Sequence, residues 1–402
     1  MNKYKIVLLI YLLIASFLLT SCWNAKELTE LSLISAVGID LGDEEDRYVV
    51  SFQLLSAGEI AVGQEGGGRG GSPTLLFTST GNTLFEAIRK VTQQASRRIY
   101  FPHTALIVIG EDLAREEGIN QIFDWFERDH EFRTNVPIVI AKGATAEEIL
   151  MVQSPVEKVA AKKIARELET SEKAWGEDMV VELGEVISNL LNKGKEVAIN
   201  GVVPIGDTNK GSEGDNLKGS IAPVILLAKG LGVFKDGKLI TWFENETARG
   251  VLWTVDKIQS TVINVDCGEK KDAIGIEIIR STTKVNVKMK EGKPIYHITV
   301  NNEGNIGEAI CKIDLTNPKT ILELEQQLEE EIKSEVMYAI KAAQEVQSDI
   351  FGFGSVLNRK HRKEWKKLED VWPEVFANAQ VDVEVNAFIR RTGMRSNSIF
   401  PQ

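Results

Sequence analysis

Cysteine and histidine are scarce in this chain, three and four among 402 residues. There is no CxxC and the histidines are scattered, which excludes a zinc site or a dithiol redox pair of recognisable spacing. A formal charge of −11 leaves no positive excess, and argues against nucleic acid or an anionic lipid surface as the main partner. Past residue 21 no apolar run reaches the roughly 20 residues that a bilayer span takes; residues 105–109 and 221–227 are strand-sized. GxSxG, HExxH and a glycine-rich nucleotide fingerprint in its proper context are also missing, and carboxylate pairs mean little in so acidic a chain. The sequence therefore offers no catalytic constellation and no cofactor site.

What is there begins at the N-terminus. Lys3 and Lys5 precede an uncharged stretch over residues 6–20, which ends in Leu19-Thr20-Ser21-Cys22. A basic start, an apolar run of about 15 residues and small residues before the cut fit a secretory signal better than a membrane span. The cysteine makes it a lipoprotein signal. A thiol at the first mature position takes a diacylglycerol as a thioether, and two or more acyl chains anchor stably where one does not. Residues 1–21 are thus expected to be removed, leaving Cys22 as the lipidated N-terminus of an acidic body outside the cytoplasmic membrane. An exported protein can oxidise the remaining Cys267 and Cys311. A chain this size does not need a staple, so two buried, unbonded thiols are the preferred reading, with a bond as the alternative.

Periodicity predicts an α+β protein of more than one domain, with mixed or antiparallel sheets and packed helices. Residues 23–31 read as a short amphipathic helix, 32–39 and 48–55 as paired strands across an acidic turn, and 63–73 as a flexible glycine-rich loop. That loop lacks the lysine and Ser/Thr of a phosphate cradle. Thr83 and Glu86 have capping-box spacing for a helix to about residue 96. A strand over 99–109, a helix carrying Ile119, Ile122, Phe123 and Phe126, and a strand over 135–141 follow. Residues 145–200 are largely helical in period. The segment 206–220, with Gly206, Gly211, Gly214 and Gly219, is a linker or a long hairpin loop, and divides an N-terminal region, 22–205, from a C-terminal domain, 221–396. There, strands are expected over 222–229, 232–234, 238–243, 272–279, 284–290, 296–302 and 382–389, mostly antiparallel. They are interrupted by one long helix that Asn317 caps and Pro318 begins. Its regular stripe fits a cover for the sheet or, less well, a coiled-coil strand.

Two polar concentrations stand out. Asp124, Glu127, Asp129, His130 and Glu131 are interleaved with Arg128 and followed by Arg133. Asp124, Glu127 and His130 or Glu131 share a helical face that a metal can use, but the arginines are readier partners and a salt-bridged face is the preferred reading. Asp129, His130 and Arg133 are the candidates for a partner-facing surface. The second concentration is Arg97-Arg98-Ile99-Tyr100-Phe101-Pro102-His103, where His103 reads as structural. Trp242, Trp253, Trp365 and Trp372 read as core residues before partner anchors.

Several segments together resemble the lipoprotein C subunits of nutrient germinant receptors in spore-forming bacteria. They are Cys22-Trp23-Asn24 with Glu27-Leu28, Ala36-Val37-Gly38-Ile39-Asp40, Arg98-Ile99-Tyr100-Phe101-Pro102-His103, Val108-Ile109-Gly110-Glu111-Asp112-Leu113-Ala114 and Arg128-Asp129-His130-Glu131-Phe132-Arg133. In the second half come Gly232-Val233-Phe234 with Leu239 and Trp242, then Asp349-Ile350-Phe351-Gly352-Phe353-Gly354 ahead of Trp365 and Trp372. The resemblance covers nearly the whole mature chain. It implies a non-enzymatic subunit with an α+β fold of several mixed sheets and no cofactor beyond the palmitate-bearing diacylglycerol on Cys22. It also implies work beside A and B membrane subunits on the outer face of the inner spore membrane. Direct contact with the nutrient is left open by the residues. The alternative from another class is the substrate-binding lipoprotein of an ABC importer, which usually has two similar lobes; a tethered hydrolase lacks any motif.

Overall fold

The computed structural model describes residues 3–6, 31–56, 72–129, 131–154, 157, 159–211, 216 and 221–392. Cys22, His130, residues 23–30 and the loop 63–71 lie outside them. Both sheets contribute to one large core, and the first sheet buries a second core on its other face.

The first sheet has nine strands in the order β3-β2-β1-β5-β6-β7-β8-β9, with β4 beside the start of β1. These are β1 (Leu31–Leu41), β2 (Tyr48–Leu55), β3 (Thr74–Gly81), β4 (Arg98–Tyr100), β5 (Leu106–Gly110), β6 (Ile138–Ala141), β7 (Ala198–Gly206), β8 (Val224–Lys235) and β9 (Lys238–Phe243). The central strands β1, β5, β6 and β7 run parallel. Their uninterrupted apolar runs have two faces to bury. Ile107, Ile109, Ile138 and Ile140 enter the larger core, while Leu106, Val108, Val139 and Ala141 enter a second one on the other side. The larger core is covered by α1 (Leu84–Lys90), α2 (Glu111–Glu116), α3 (Asn120–Arg128) and α6 (Leu183–Leu190), the second by α4 (Ala146–Met151) and α5 (Ala160–Ala174). Asp236 and Gly237, at φ 52° and 79°, make the tight turn between β8 and β9, where a left-handed pair matches the strand twist.

Helix α7 (Asn245–Thr254) leads to the second sheet, ordered β10-β11-β12-β13: β10 (Thr261–Cys267), β11 (Lys270–Lys290), β12 (Lys293–Ala309) and β13 (Gln380–Arg391). The long helix α8 (Pro318–Glu345) starts where Asn317 caps it, its side chain accepting from Lys319 N. Leu324, Leu328, Ile332, Val336 and Ile340 of its stripe are buried in one core with Tyr296, Ile298 and Val300, so α8 covers the sheet and is no coiled-coil strand. Helices α9 (Phe353–Lys360), α10 (Arg362–Leu368) and α11 (Trp372–Ala377) complete the return to β13.

The structure departs from the sequence reading at several elements, among them the strands expected over 222–229 and 232–234, which are one strand, β8. The strand expected over 99–109 is two, β4 and β5, because Pro102 cannot donate to a ladder and Thr104 N turns back to Phe101 O at 2.8 Å. The strands expected over 272–279 and 284–290 are one, β11. Strand β13 is parallel to β12, as the long helical crossover between them permits. The glycine-rich segment joins β7 to its antiparallel neighbour β8, and β8 and β9 belong to the first sheet. Finally, Cys267 and Cys311 are bonded, not free thiols. Strand β11 pairs with β10 on one side and β12 on the other, and this brings the two Cα atoms to 6.4 Å across 44 residues of sequence.

Candidate docking site

Of the partner-facing residues proposed from sequence, Asp129 is the C-cap of α3 and Arg133 follows four residues on, while His130 lies outside the described residues. Helix α1 is capped at its N-terminus: Thr83 Oγ1 accepts from Glu86 N at 3.1 Å, and the Glu86 carboxylate accepts from Asn82 N, one residue before the cap, at 3.1 Å. Its stripe Leu84, Ala87 and Ile88 is buried, which leaves Phe85 on the outside, 54% exposed. Helix α3 buries Ile122, Phe123 and Phe126 and holds Trp125 at the surface boundary. Trp125 edges against Phe126 and Phe132 with centroids 4.8 and 5.2 Å away, and Phe132 stacks on Phe101 at 4.7 Å. Such pairs prefer offset or edge geometry because ring edges are positive and faces negative. The aromatic cluster therefore pins β4, α3 and the turn after it into one rigid wall.

Two cavities open on this wall and share Phe85 and Trp125. The smaller, about 260 Å³, is also lined by Arg89, Arg98, Phe101 and Asp129. The larger, about 480 Å³, is also lined by Arg47, Tyr48, Asp124 and Arg128. Together they form a groove with an aromatic floor and a charged rim. On the rim, Arg98 pairs with Glu131 at 2.7 Å, and Arg128 with Asp124 at 2.9 Å, a hydrogen bond that holds the Asp124 carboxyl below its ordinary range. Asp129 turns back on its own loop, accepting from Glu131 N at 2.8 Å. Asp124 and Glu131 are thus committed to arginines, and among the described residues no group of three or more His, Cys, Asp or Glu is placed to hold a metal.

The groove brings together Asp129, Arg98 and Trp125; Arg133 is exposed but does not line it. Sequence reasoning missed Phe85 and Arg89. The available signal was Phe85 itself, an aromatic residue off the apolar stripe of its helix. His103 is exposed against Tyr100. Trp253, Trp365 and Trp372 are buried. Trp242 is half-buried: its Nε1 donates to Glu111 at 2.9 Å and Lys142 Nζ sits 4.6 Å above its ring. A separate cavity of about 720 Å³ between the β11–β12 turn and α11, with Lys293, Ile295, Val371 and Val375 among its walls, holds none of the residues proposed from sequence.

The other segments that carry the resemblance are structural joints. Asp40 accepts from the first amides of α4, Ala146 N at 2.7 Å and Glu147 N at 3.1 Å. Asp349 is buried, and its carboxylate takes the N–H groups of Gly352, Phe353 and Gly354 and the indole N–H of Trp372.

These features define an α+β protein of two sheets with a surface groove, not a cleft of convergent catalytic groups among the described residues. A family model described as "Spore germination protein N-terminal domain" matches residues 24–204, and one described as "Spore germination B3/ GerAC like, C-terminal" matches 229–393. Spore germination protein KC of Bacillus subtilis (strain 168) is 36% identical over 398 residues, 98% of each chain. Spore germination protein B3 of the same strain is 23% identical over 387 residues, 95% of this chain and 96% of its own. The crystal structure of the GerBC protein has the same fold, with a TM-score of 0.55 over 88% of this chain and 96% of that one at 18% identity. The chain belongs to the GerAC-like family of spore germination proteins, as the sequence resemblance implied.

Proposed function

We propose that this chain is the lipid-anchored C subunit of a spore nutrient germinant receptor, a non-enzymatic part needed for assembly or signalling. Family membership over the full length carries the reading. Cys22, after Leu19-Thr20-Ser21, is the lipidation site, and its palmitate-bearing diacylglycerol holds the acidic body to the outer face of the inner spore membrane. The Cys267–Cys311 bond supports export, since disulfides persist in oxidising compartments. The A and B membrane subunits are its partners, and the α1/α3 groove with Asp129 is the surface offered to them. The ABC importer alternative has no support in the fold. Its two lobes are usually alike, and here a nine-stranded, partly parallel sheet faces a four-stranded one under a single long helix.

The test is nutrient-triggered germination, followed by loss of optical density, in spores lacking the gene and in spores carrying Cys22→Ala. Loss of the response with normal growth on the nutrient, together with release of the Cys22→Ala protein from the membrane fraction, is expected. A Cys22→Ala protein that stays with the membrane and supports full germination overturns the anchoring.

A further inference from the structure

The net charge of −11 is unevenly spread. Ten of the 47 Lys and Arg residues, but only two of the 58 Asp and Glu residues, fall in 284–293 and 359–367. The first run is the β11–β12 hairpin, with Lys284, Lys288, Lys290 and Lys293; the second is the α9–α10 turn and carries six. All ten are exposed.

Packing joins the two runs into one face. Val285, Val287 and Met289 of β11 belong to the core, so Lys284, Lys288 and Lys290 share the opposite, exposed side of the strand. Lys360 Nζ, at the end of α9, donates to Asn286 Oδ1 between them. At the hairpin tip, Lys290 and Lys293 share the walls of the cavity of about 720 Å³ with Leu368, the last residue of α10. Helix α10 buries Trp365 and leaves Lys363, Lys366 and Lys367 outside. Among the described residues only Lys367 of the ten is in an ion pair, with Glu364 at 3.0 Å. The carboxylates on the same side of the sheet, Asp382 and Glu384, lie on β13 with β12 in between, and Asp382 meets His297 at 3.4 Å.

We infer that this face of β11, α9 and α10 rests on the headgroups of anionic phospholipid. Three observations favour a lipid surface over a protein or a nucleic acid. Eight of the ten residues are lysine, a hydrated point charge on a flexible stem that is depleted from protein interfaces, where Arg and aromatic residues are enriched. The one Phe, Tyr or Trp in either run, Trp365, is buried, so neither run offers a ring for base stacking. Val371, on the wall of the adjoining cavity, is 48% exposed and supplies an apolar contact at the headgroup layer. Each Lys or Arg near an anionic surface adds several-fold to the affinity. The face thereby gives one orientation to a body that a lipid anchor alone leaves free to rotate. That orientation rests on the anchoring reading; the affinity for the surface does not.

Co-sedimentation with vesicles tests it, using the chain from residue 22 onward with Cys22→Ala so that no lipid contributes. Affinity for vesicles with about one third phosphatidylglycerol is expected to exceed that for pure phosphatidylcholine at least about tenfold, and to fall at least about tenfold between about 0.05 and 0.5 M salt. Lys288→Ala, Lys363→Ala and Lys366→Ala together should cost about tenfold or more. Lys319→Ala, Lys333→Ala and Lys341→Ala, exposed on α8 over the other side of the sheet, should cost less than about twofold. Equal affinity for the two vesicles, or an equal loss in the two triple variants, overturns the inference. So does a lack of vesicle binding. So does a first triple variant that keeps its vesicle binding but loses association with the A and B subunits in detergent, which assigns the face to a protein. Because the tested chain carries no lipid, failure of this face and failure of the Cys22 anchor are read separately.

Discussion

Burial costs several carboxylates more than their hydrogen bonds return, most of all at three residues. Burial pushes Asp40 up to about 6 against the pull of the Ala146 and Glu147 amides. It does the same to Asp349, also to about 6, despite three amides and an indole N–H, and it lifts Glu196 to about 7, aided by Asp236 and Asp349 nearby. A folded-state pKa above the unfolded one makes the folded chain the tighter proton binder. The resulting stability is complete below about pH 4 and is lost as pH rises through 6 to 7. The midpoint of thermal unfolding is therefore expected to fall between pH 5 and pH 8. Among the described residues the Glu196 carboxylate accepts one long bond, from Asp236 N at 3.4 Å. Glu196→Gln should flatten that slope and raise stability at pH 8 by about 1 kcal/mol, with the partial exposure of the group keeping the gain small. A variant with the wild-type slope would show that Glu196 is not the titrating group.

Helix α8 does more than bury an apolar stripe. It closes both edges of the second sheet with its polar side chains. Glu329 and Glu325 accept from Ala387 N and Ile389 N on the free edge of β13 at 3.0 and 2.8 Å, and Gln327 accepts from Asp266 N on β10 at 3.0 Å. Unpaired edge amides template further strand addition, and covering them is one way proteins stay monomeric. Glu325→Ala with Glu329→Ala is expected to cost about 1–3 kcal/mol in urea unfolding, and to make light scattering rise with protein concentration. Much of this element was legible beforehand. Asn317, Pro318 and the spacing of Leu324, Leu328 and Ile332 fixed the start and the buried face, because capping and helical period are local properties. The edge contacts were not, since Glu325 and Glu329 look in sequence like any solvated glutamates.

The two sheets form one body through α7 and a seam of backbone contacts. Ser348 Oγ donates to Phe234 O, Glu196 N to Asp349 O at 2.8 Å, and Ser355 N to Gly194 O at 3.0 Å. Gly194 and Gly354 approach so closely there that a Cβ on Gly194 would lie 2.7 Å from the carbonyl carbon of Gly354. Arg249 of α7 is buried and meets Glu335 of α8 through a two-pronged hydrogen-bonded pair, which also accepts the Trp253 indole N–H at 2.9 Å. Removing one partner of such a pair leaves an uncompensated buried charge. Glu335→Ala is expected to lower the free energy of unfolding by about 3–5 kcal/mol, measured by urea titration. A loss below about 1 kcal/mol would mean that Arg249 finds water or Glu177 instead.

The sequence by itself determined the elements whose cause is local: the hairpin turn at Asp236-Gly237, the capped helices after Thr83 and Asn317, and the apolar strands of the central sheet. It also determined the family, through segments recognisable by residue type and order. Only the tertiary structure decided which strands share a sheet, that β13 runs parallel to β12, and that Cys267 meets Cys311, because each depends on residues tens of positions apart being brought together by packing. The site divides in the same way. Asp129 and the segments 97–103 and 124–133 were visible as two polar concentrations. That they form a groove with Phe85 and Arg89 follows from the packing of α1 against α3, which no spacing along the chain encodes.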